Sequence, residues 1–321
     1  MYYNDRLYLL LILSAFRGYM NNLPTIKQLR YFIALDKYGH FGKAADTCYV
    51  TQPAFSVAIR ELESTLGIQL VDRTNKSVTI TRIGKDIASQ ARLVISDMEN
   101  LAELAKLNQQ PLCGQISIGV IPTIAPFLLP GLLPKLRKAY PQLKLILQED
   151  QTQRIYQQLM AGELDIILVA IPFELRNTHV LKLFNDNFFL ACRDKSKLFN
   201  PETQSIEQLP EGSILLLEDG HCMRDHALAA CKIRNIDKVS PITANSLLTL
   251  VQMVDSDLGV TYLPEMAINS LLLKNTRVKT WPLRQGRYRT IGLAWRNGSV
   301  RSSEFNLLGE FIKAHWMAGN H

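Results

Sequence analysis

The segment of residues 41–63 constrains the fold of this chain more than any other part of the sequence. It predicts a short helix from Phe41 to about Cys48, a tight turn, and a second helix that starts near Thr51. Thr51 is a favourable N-cap residue, and Pro53 falls in the first turn, where a helix tolerates proline. Three apolar residues recur on one face of the second helix and are expected to be buried: Phe55, Ile59 and Leu62.

Two short helices joined by a tight turn predict a helix-turn-helix, whose second helix can enter the major groove of DNA with its N-terminus first. The residues of this helix expected to contact DNA are Thr51, Gln52, Pro53, Ser56 and Arg60. Residues 70–81 predict a two-stranded wing, which would add Arg73, Asn75 and Lys76. Between residues 20 and 85, nine Lys and Arg against five Asp and Glu favour an anionic partner. The alternative is a helical hairpin that binds nothing.

Residues 84–107 predict one long helix. Its apolar residues recur with the alternating four-and-three spacing of a coiled-coil seam: Ile87, Ala91, Val94, Met98, Leu101 and Ala105. Beside a helix-turn-helix, such a seam indicates that two chains pair, because dimeric DNA-binding proteins match two-fold operators. The alternative is an amphipathic helix that packs within its own chain.

A turn-rich segment, residues 108–114, predicts a hinge, and strand and helix patterns alternate beyond it. The expected strands are residues 115–120, 143–147 and 165–170, and the expected helices are residues 128–139 and 152–161. This alternation predicts a mainly parallel sheet, with binding sites at strand C-termini and helix N-termini. Thr123, just after a strand, and Thr152, at the expected N-cap of a helix, would then face a cleft, although either could equally be a capping residue alone.

Two cysteines, Cys222 and Cys231, lie nine residues apart in the second half of the chain. Asp219-Gly220 predicts a turn and residues 223–233 predict a helix. Cys222 therefore lies at or near a helix N-terminus, where unpaired backbone N–H groups favour a thiolate. Three neighbours could add positive charge: His221, Arg224 and His226.

In a continuous helix Cys222 and Cys231 would be about 13 Å apart along the axis and on roughly opposite faces. A disulfide needs Cα atoms within about 7 Å. The pair can therefore bond only if the segment refolds, as a switch would. The alternative is that both are small buried hydrophobic residues, which is usual for cysteines in intracellular proteins.

The composition describes a soluble globular protein of two or three domains, with 321 residues, 47% of them hydrophobic and 20% charged. Five irregularly spaced cysteines indicate a reducing, cytoplasmic compartment. The sequence has neither the closely spaced Cys and His ligands of a zinc site nor a cofactor-binding motif, so we expect no metal and no cofactor. Residues 7–16 are apolar but too few to span a bilayer, which takes about 20. We interpret residues 1–19 as a wrongly assigned start or a loose extension rather than a signal peptide.

The N-terminal motifs resemble the signature of the LysR-type transcriptional regulators. In order, they are Ala44-Ala45, Thr51-Gln52-Pro53-Ala54-Phe55-Ser56, Ile59, Leu62-Glu63, Leu66-Gly67, Leu70-Val71-Asp72-Arg73 and Thr81-Arg82-Ile83-Gly84. The second half of the chain is similar to the peroxide-sensing branch of that family. The segments that carry this likeness are Ile121-Pro122-Thr123, Leu129-Pro130, Gln151-Thr152, residues 218–231, residues 259–264 and residues 289–293.

The resemblance implies an α/β multidomain fold. Its parts would be a winged helix-turn-helix domain (20–83), a linker and dimerisation helix (84–108), a hinge (109–114) and a sensor domain similar to periplasmic binding proteins (115–318). The sensor would comprise two α/β subdomains, between which the chain crosses twice. The first would contain residues 115–183 and 286–318, and the second residues 184–285.

The resemblance also implies that Cys222 reacts with peroxide and that Cys231 resolves the product. Peroxide oxidises a thiolate to a sulfenic acid, which a second thiol captures as a disulfide. The residues that would hold peroxide or set the reactivity of the thiol are Thr123, Thr152, His221, Asp225 and Arg289. Positive surroundings would lower the pKa of Cys222. Cys192, on an expected strand, would be buried and inert.

The expected protein is therefore a homo-oligomeric activator of oxidative-stress genes, not an enzyme. Its partners would be operator DNA, a second dimer of the same chain and RNA polymerase, with hydrogen peroxide as the signal and no membrane. Oxidation would change how the sensor domains pair and so the spacing of the recognition helices. One alternative is a LysR-type regulator that binds a small metabolite in the sensor cleft. A thiol peroxidase is less favoured, because a helix-turn-helix would then be unexplained.

Overall fold

A computed structural model describes residues 23–73, 78–104, 112–204, 208–220, 222–230, 236–283 and 287–319. The chain divides into two compact units, the first ending at Ala102 and the second beginning at Glu103. Several predicted positions lie outside the described residues, namely Asn75, Lys76, Ala105, His221, Cys231 and the extension of residues 1–19. In the described part of the chain, no helix is long and apolar enough to cross a membrane.

The described elements of the first unit are helices followed by a short hairpin and a long helix. They are α1 (Ile26–Tyr38), α2 (Phe41–Thr47), α3 (Gln52–Leu66), β1 (Val71–Arg73), β2 (Val78–Ile80) and α4 (Arg82–Leu104). Strands β1 and β2 pair antiparallel, with Val71 opposite Ile80, which confirms the predicted two-stranded wing. The unit is a winged helix-turn-helix in which α2 and α3 are the paired short helices.

One apolar core holds α1, α2 and α3 together. Phe55, Ile59 and Leu62 on α3 are fully buried, which confirms the face predicted for that helix. They pack in one cluster with apolar residues of α1 and α2, and Tyr31 stacks on Phe55 with ring centroids 5.0 Å apart. Gly67 ends α3 in the left-handed conformation, with φ of 67°.

The long helix α4 divides its apolar residues between two faces. Ala88, Ala91 and Ile95 are buried, and Ala88 belongs to the core of the first unit. Val94, Met98 and Leu101 are 46%, 41% and 66% exposed. Ala91 therefore faces its own chain, and the prediction of one continuous seam from residue 87 to residue 105 is wrong at that position.

The second unit alternates strands and helices, as the sequence predicted. Its described elements are β3 (Gly114–Val120), α5 (Ala125–Ala139), β4 (Leu143–Glu149), α6 (Thr152–Met160), β5 (Ile166–Ile171), β6 (Thr178–Arg193), β7 (Ile214–Leu217), α7 (Cys222–Ala230), β8 (Val239–Ala244), α8 (Leu247–Asp255), β9 (Thr261–Pro264), α9 (Glu265–Ile268), β10 (Val278–Pro282), β11 (Tyr288–Arg296) and α10 (Ser302–Gly319). Single 3₁₀ turns occur at Ile236–Lys238 and Leu271–Leu273.

The main sheet has the order β10-β6-β11-β5-β3-β4, with β9 also paired to β6. Strand β3 is parallel to β4 and β5, and β7 is parallel to β8 in a separate pair. In contrast, β6 and β11 run antiparallel to each other and to their other partners. The prediction of a mainly parallel sheet is therefore wrong for the centre of the sheet, because β6 and β11 traverse it in opposite directions.

The second unit has two hydrophobic cores, and β6 contributes residues to both of them. The first is built on β3, β5, α5 and α10, and the second on β7, α8 and β9. Along β6, Leu183 and Phe184 belong to the first core, whereas Phe188 and Leu190 belong to the second. The chain therefore crosses from one core to the other between residues 184 and 188.

Candidate functional site

The exposed face of α3 carries the side chains predicted to contact DNA. Thr51, Gln52, Pro53 and Arg60 are exposed, and Ser56 is partly exposed. Thr51 occupies the N-cap position but its side chain makes no cap hydrogen bond, so the hydroxyl remains available to another partner. The side chains of the wing residues Arg73, Asn75 and Lys76 lie outside the described part of the structure.

Val57 is a residue of this face that sequence reasoning missed. It lies on α3 beside Ser56 and is 44% exposed. An apolar side chain at such a position can contact the methyl group of thymine in the major groove. Its signal in the sequence is weak, because a single valine in a helix is normally assigned to the core.

Cys222 is the first residue of α7, one residue earlier than the predicted helix start. It follows the turn at Gly220, which has a φ of 98°. A Cβ at Gly220 would lie 2.8 Å from the side-chain oxygen of Gln151, so only glycine fits this turn without a shift. The turn thus brings the start of α7 against the start of α6.

The sulfur of Cys222 lies at a narrow recess between the start of α6, the β3–α5 loop and the start of α7. Its described lining residues are Ile121, Pro122, Thr123, Gln151, Thr152, Gly220, Cys222 and Met223. The empty volume, including the part open to solvent, is about 170 Å³, and none of it is wide enough for a water-sized sphere. The structure therefore brings Thr123 and Thr152 together with Cys222, as predicted for residues that face a cleft.

A buried network behind the recess centres on Arg289. Its Nε donates to Asp186 Oδ2 at 2.9 Å, its Nη1 donates to Thr123 Oγ1 at 2.7 Å, and its Nη2 donates to the Thr123 carbonyl at 2.8 Å. Arg289 and Asp186 have fully buried side chains and are direct neighbours in the β11–β6 ladder. Burial raises the pKa of Asp186, and the Arg289 charge opposes this effect. Because Thr123 accepts from Arg289, its own O–H can donate elsewhere.

Asp186 is a site residue that sequence reasoning missed. It lies on β6, 103 residues before Arg289 in the chain. Its Oδ1 also accepts from the backbone N–H of Met266 at 3.0 Å. No local pattern identifies this carboxylate, because its role depends on the long-range pairing of β6 with β11.

Thr152 is 2% exposed, and its Oγ1 makes no hydrogen bond of standard geometry with any described residue. The prediction that Thr152 is an N-cap is wrong, because Gln151 occupies that position and Thr152 is the first residue of α6. The Cys222 thiol is its neighbour at the recess, and a hydrogen bond from this hydroxyl to the sulfur favours the thiolate.

The surroundings of Cys222 raise the pKa of its thiol. Burial is the main cause, the adjacent Thr152 hydroxyl and the Arg289 charge oppose it, and the Asp225 charge adds to it. The prediction of a lowered pKa is therefore wrong for this conformation. Asp225 is exposed and is not among the recess-lining residues, and Arg224 pairs with Asp219 at 2.6 Å.

The surroundings of His226 disfavour its charged form, contrary to its predicted contribution of positive charge. It is 6% exposed, and burial lowers its pKa. Its Nε2 lies 2.8 Å from the carbonyl oxygen of Pro172, so that nitrogen carries the proton and donates it. Cys192 is fully buried, as predicted, and burial raises the pKa of its thiol.

Two family models match this chain. The model of the bacterial regulatory helix-turn-helix protein, lysR family, matches residues 26–85. The model of the LysR substrate binding domain matches residues 109–317. The chain belongs to the LysR family. It is therefore a DNA-binding transcriptional regulator with a helix-turn-helix domain and a C-terminal sensor domain, and not an enzyme.

Individual relatives match nearly the whole chain. The HTH-type transcriptional regulator EstR of Acinetobacter baylyi is 38% identical over 295 residues, which cover 92% of this chain and 98% of EstR. The hydrogen peroxide-inducible genes activator of Escherichia coli is 36% identical over 289 residues, which cover 90% of this chain and 95% of the activator. The structure of a full-length OxyR variant of Pseudomonas aeruginosa has a TM-score of 0.76 and 32% identity, covering 90% of this chain and 94% of that one.

Proposed function

We propose that this LysR-family regulator senses hydrogen peroxide through Cys222 and Cys231 and, in the oxidised form, activates oxidative-stress genes. The observation that carries the proposal is the recess at Cys222. A thiol there meets the buried hydroxyl of Thr152, which favours the thiolate, and the hydroxyl of Thr123, which is held by Arg289. The likeness to a hydrogen peroxide-inducible activator and to OxyR supports the same assignment.

The first chemical step would be attack of the Cys222 thiolate on one oxygen of peroxide. The S–O bond forms, the O–O bond breaks, and the second oxygen leaves as hydroxide, which takes a proton to become water. Sulfur loses two electrons and becomes a sulfenic acid, while peroxide is reduced. Hydroxyl donors that point at the leaving oxygen stabilise it, and Thr123 and Thr152 have the right groups at the recess.

Arg289 would act on this step by position rather than by proton transfer. Two of its nitrogens fix the hydroxyl and the carbonyl of Thr123, and Asp186 fixes the guanidinium in turn. Its charge also favours the thiolate of Cys222. Burial raises the pKa of that thiol, and the attack on peroxide proceeds through the thiolate.

The second step would join Cys222 to Cys231 with release of water from the sulfenic acid. Cys222 starts α7 and Ala230 ends it, so the rise of the intervening helix is about 12 Å. A disulfide needs Cα atoms within about 7 Å. Disulfide formation would therefore unwind at least part of α7 and change the packing between the two cores of the sensor.

We also propose that the protein is a cytoplasmic dimer of dimers that engages operator DNA and RNA polymerase. The exposed stripe of Val94, Met98 and Leu101 on α4 would pair two chains. The domain limits that we propose are those predicted from the sequence, with the linker helix between residues 84 and 108. The residues proposed to contact DNA are Thr51, Gln52, Pro53, Ser56, Arg60, Arg73, Asn75 and Lys76.

The decisive experiment treats the purified, reduced, full-length protein with one equivalent of hydrogen peroxide and maps its disulfides by mass spectrometry of peptides. We expect rapid formation of a Cys222–Cys231 bridge, with Cys48, Cys113 and Cys192 unmodified. Unreacted thiols at both positions would overturn the proposal.

A regulator that answers a small metabolite is the second candidate. EstR matches this chain as well as the peroxide-inducible activator does, and its name specifies no signal. A double Cys222→Ser, Cys231→Ser protein tests this candidate. If a metabolite pool still changes the operator affinity of that protein, the second candidate is favoured over the first.

A further inference from the structure

We propose that the hydrogen bond from His226 to the carbonyl oxygen of Pro172 is a latch that holds α7 in the reduced conformation. This inference rests on the proposed function, because it concerns the thiol–disulfide equilibrium of Cys222 and Cys231. It assigns a positioning role to a side chain that the chemistry at Cys222 does not itself require.

The latch joins the two cores of the sensor. Met223 and Ala227 of α7 pack in the second core, whereas Cys222 packs against the first. Pro172 follows β5, whose residues are buried in the first core. The 2.8 Å contact of His226 Nε2 with the Pro172 carbonyl therefore ties the middle of α7 to the residue that directly follows β5.

The position of His226 along the helix makes the latch oppose disulfide formation. His226 is four residues after Cys222, so the two lie on one face of α7. Bringing Cys231 to Cys222 requires α7 to unwind between them, and His226 lies in that interval. Unwinding that includes His226 breaks its hydrogen bond to Pro172, so this bond favours the reduced conformation over the disulfide.

The latch also makes the equilibrium sensitive to pH. The ring is buried, one nitrogen donates to Pro172, and Nδ1 has no hydrogen-bond partner among the described residues. The charged groups that act on it are Arg289 on β11, which opposes protonation, and Asp225 on α7, which favours it. Burial is the largest effect and lowers the pKa of His226. A second proton on this ring is therefore disfavoured in the reduced conformation.

The sign of the pH dependence follows from this difference. In the disulfide form α7 has unwound, and an exposed histidine has a pKa of about 6.5. As pH falls below that value, the disulfide form takes up a proton that the latched, reduced form does not. This proton uptake raises the equilibrium constant for disulfide formation by up to about tenfold when the pH falls from 7.5 to 5.5. The increase adds to the pH dependence that all dithiols share.

The test measures the equilibrium of the Cys222–Cys231 pair against reduced and oxidised glutathione at pH 7.5 and 5.5, in the full-length protein. His226→Phe keeps a ring but removes the donor, and we expect it to favour the disulfide by about three- to tenfold at pH 7.5. In His226→Gln the amide nitrogen can replace Nε2 but does not titrate. We expect that variant to match the unmodified protein at pH 7.5 and to lack the additional shift at pH 5.5.

His315→Gln is the matched control. Burial also lowers the pKa of His315, but this residue lies on α10 beside Lys135 and not on α7. We expect His315→Gln to keep both the equilibrium and its pH dependence. If His226→Phe fails to fold, the comparison of His226→Gln with His315→Gln still decides the question.

The outcomes separate the latch from the proposed function. Equal equilibria and equal pH dependence in all four proteins, with a Cys222–Cys231 disulfide present, would overturn the latch and leave peroxide sensing intact. Failure of the unmodified protein to form that disulfide at any glutathione ratio would overturn both. Loss of the additional pH shift in the His226 variants alone supports the latch.

Discussion

Helices α3 and α7 both begin at a residue for which we propose a function, but they are stabilised in different ways. Helix α3 has 15 residues, a proline in its first turn and a left-handed glycine at its end. Its buried residues all belong to one core. Helix α7 has nine residues, and its contacts are divided between two cores. A helix of that length has little stability of its own in water, so α7 persists only through those contacts.

Because of this difference, the two helices respond differently when a single contact is lost. Removing one contact of α3 leaves a long helix with a continuous apolar face, which keeps its DNA-binding surface in place. In α7, a covalent change at Cys222 acts on the residue that packs against the first core, while Met223 and Ala227 pack in the second. Segments of low local stability are the ones that proteins use as switches.

Cys222→Ser should abolish the response that depends on α7 and leave DNA binding by α3 unchanged. We expect no change of operator affinity on addition of peroxide, and an affinity equal to that of the reduced, unmodified protein, because α3 lies in the other unit. Fluorescence anisotropy with a labelled operator, with and without peroxide, measures both. Cys113→Ser is the control, since Cys113 is also partly exposed. A Cys222→Ser protein that still responds to peroxide would contradict the assignment.

Arg289→Met should destabilise the sensor and leave the α3 unit unchanged. The substitution leaves Asp186 buried without its partner, and we expect the free energy of unfolding to fall by about 3–5 kcal/mol. Urea denaturation followed by tryptophan fluorescence reports on the sensor alone, because Trp281, Trp295 and Trp316 are the three tryptophans of the chain.

The matched control for that experiment removes both charges. Arg289→Met combined with Asp186→Asn leaves no buried ion, so the double variant should be more stable than the single one. If the two variants are equally unstable, the loss comes from packing around the arginine side chain and not from the unpaired carboxylate.

The rate at which peroxide oxidises Cys222 should rise with pH by about tenfold per unit between about pH 6 and 8, because the thiolate is the reactive species. A raised pKa keeps the thiolate a minor fraction throughout this range. Stopped-flow measurement of thiol loss gives the profile. Asp225→Asn should increase the rate at each pH, because the Asp225 charge raises the pKa of the thiol. If the rate is already constant between about pH 6 and 8, the pKa of the thiol lies below this range, as the sequence predicts.

The sequence predicts the α3 region well because its determinants are local. Phe55, Ile59 and Leu62 lie within eight positions, and helical periodicity alone places them on one face. The turn at Gly220 and the start of α7 at Cys222 follow from equally local signals. Thr123 and Thr152 are expected at a cleft because strand ends and helix starts meet at one edge of a parallel sheet.

The environment of Cys222 could not be predicted in the same way. Its burial depends on residues from the β3–α5 loop and the start of α6, far away in the chain. The pairing of Asp186 with Arg289 depends on the register of two strands 103 positions apart, and no periodic pattern encodes it. Local sequence therefore indicates positive charge around the thiol, whereas the folded chain places Arg224 in an ion pair and keeps His226 neutral.

The smallest effects are expected for substitutions of two threonines that occupy helix N-caps in the same unit. Thr25 forms a complete capping box with Gln28 at the start of α1, whereas Thr51 at the start of α3 makes no cap hydrogen bond. Thr25→Ala should therefore lower the free energy of unfolding of the first unit by about 1 kcal/mol and leave the operator affinity unchanged. Thr51→Ala should lower the free energy of unfolding by less than Thr25→Ala does, but it should weaken operator binding. Thermal unfolding by circular dichroism and anisotropy titrations distinguish the two, and a stability loss at Thr51 equal to that at Thr25 would show that Thr51 caps α3 rather than contacting DNA.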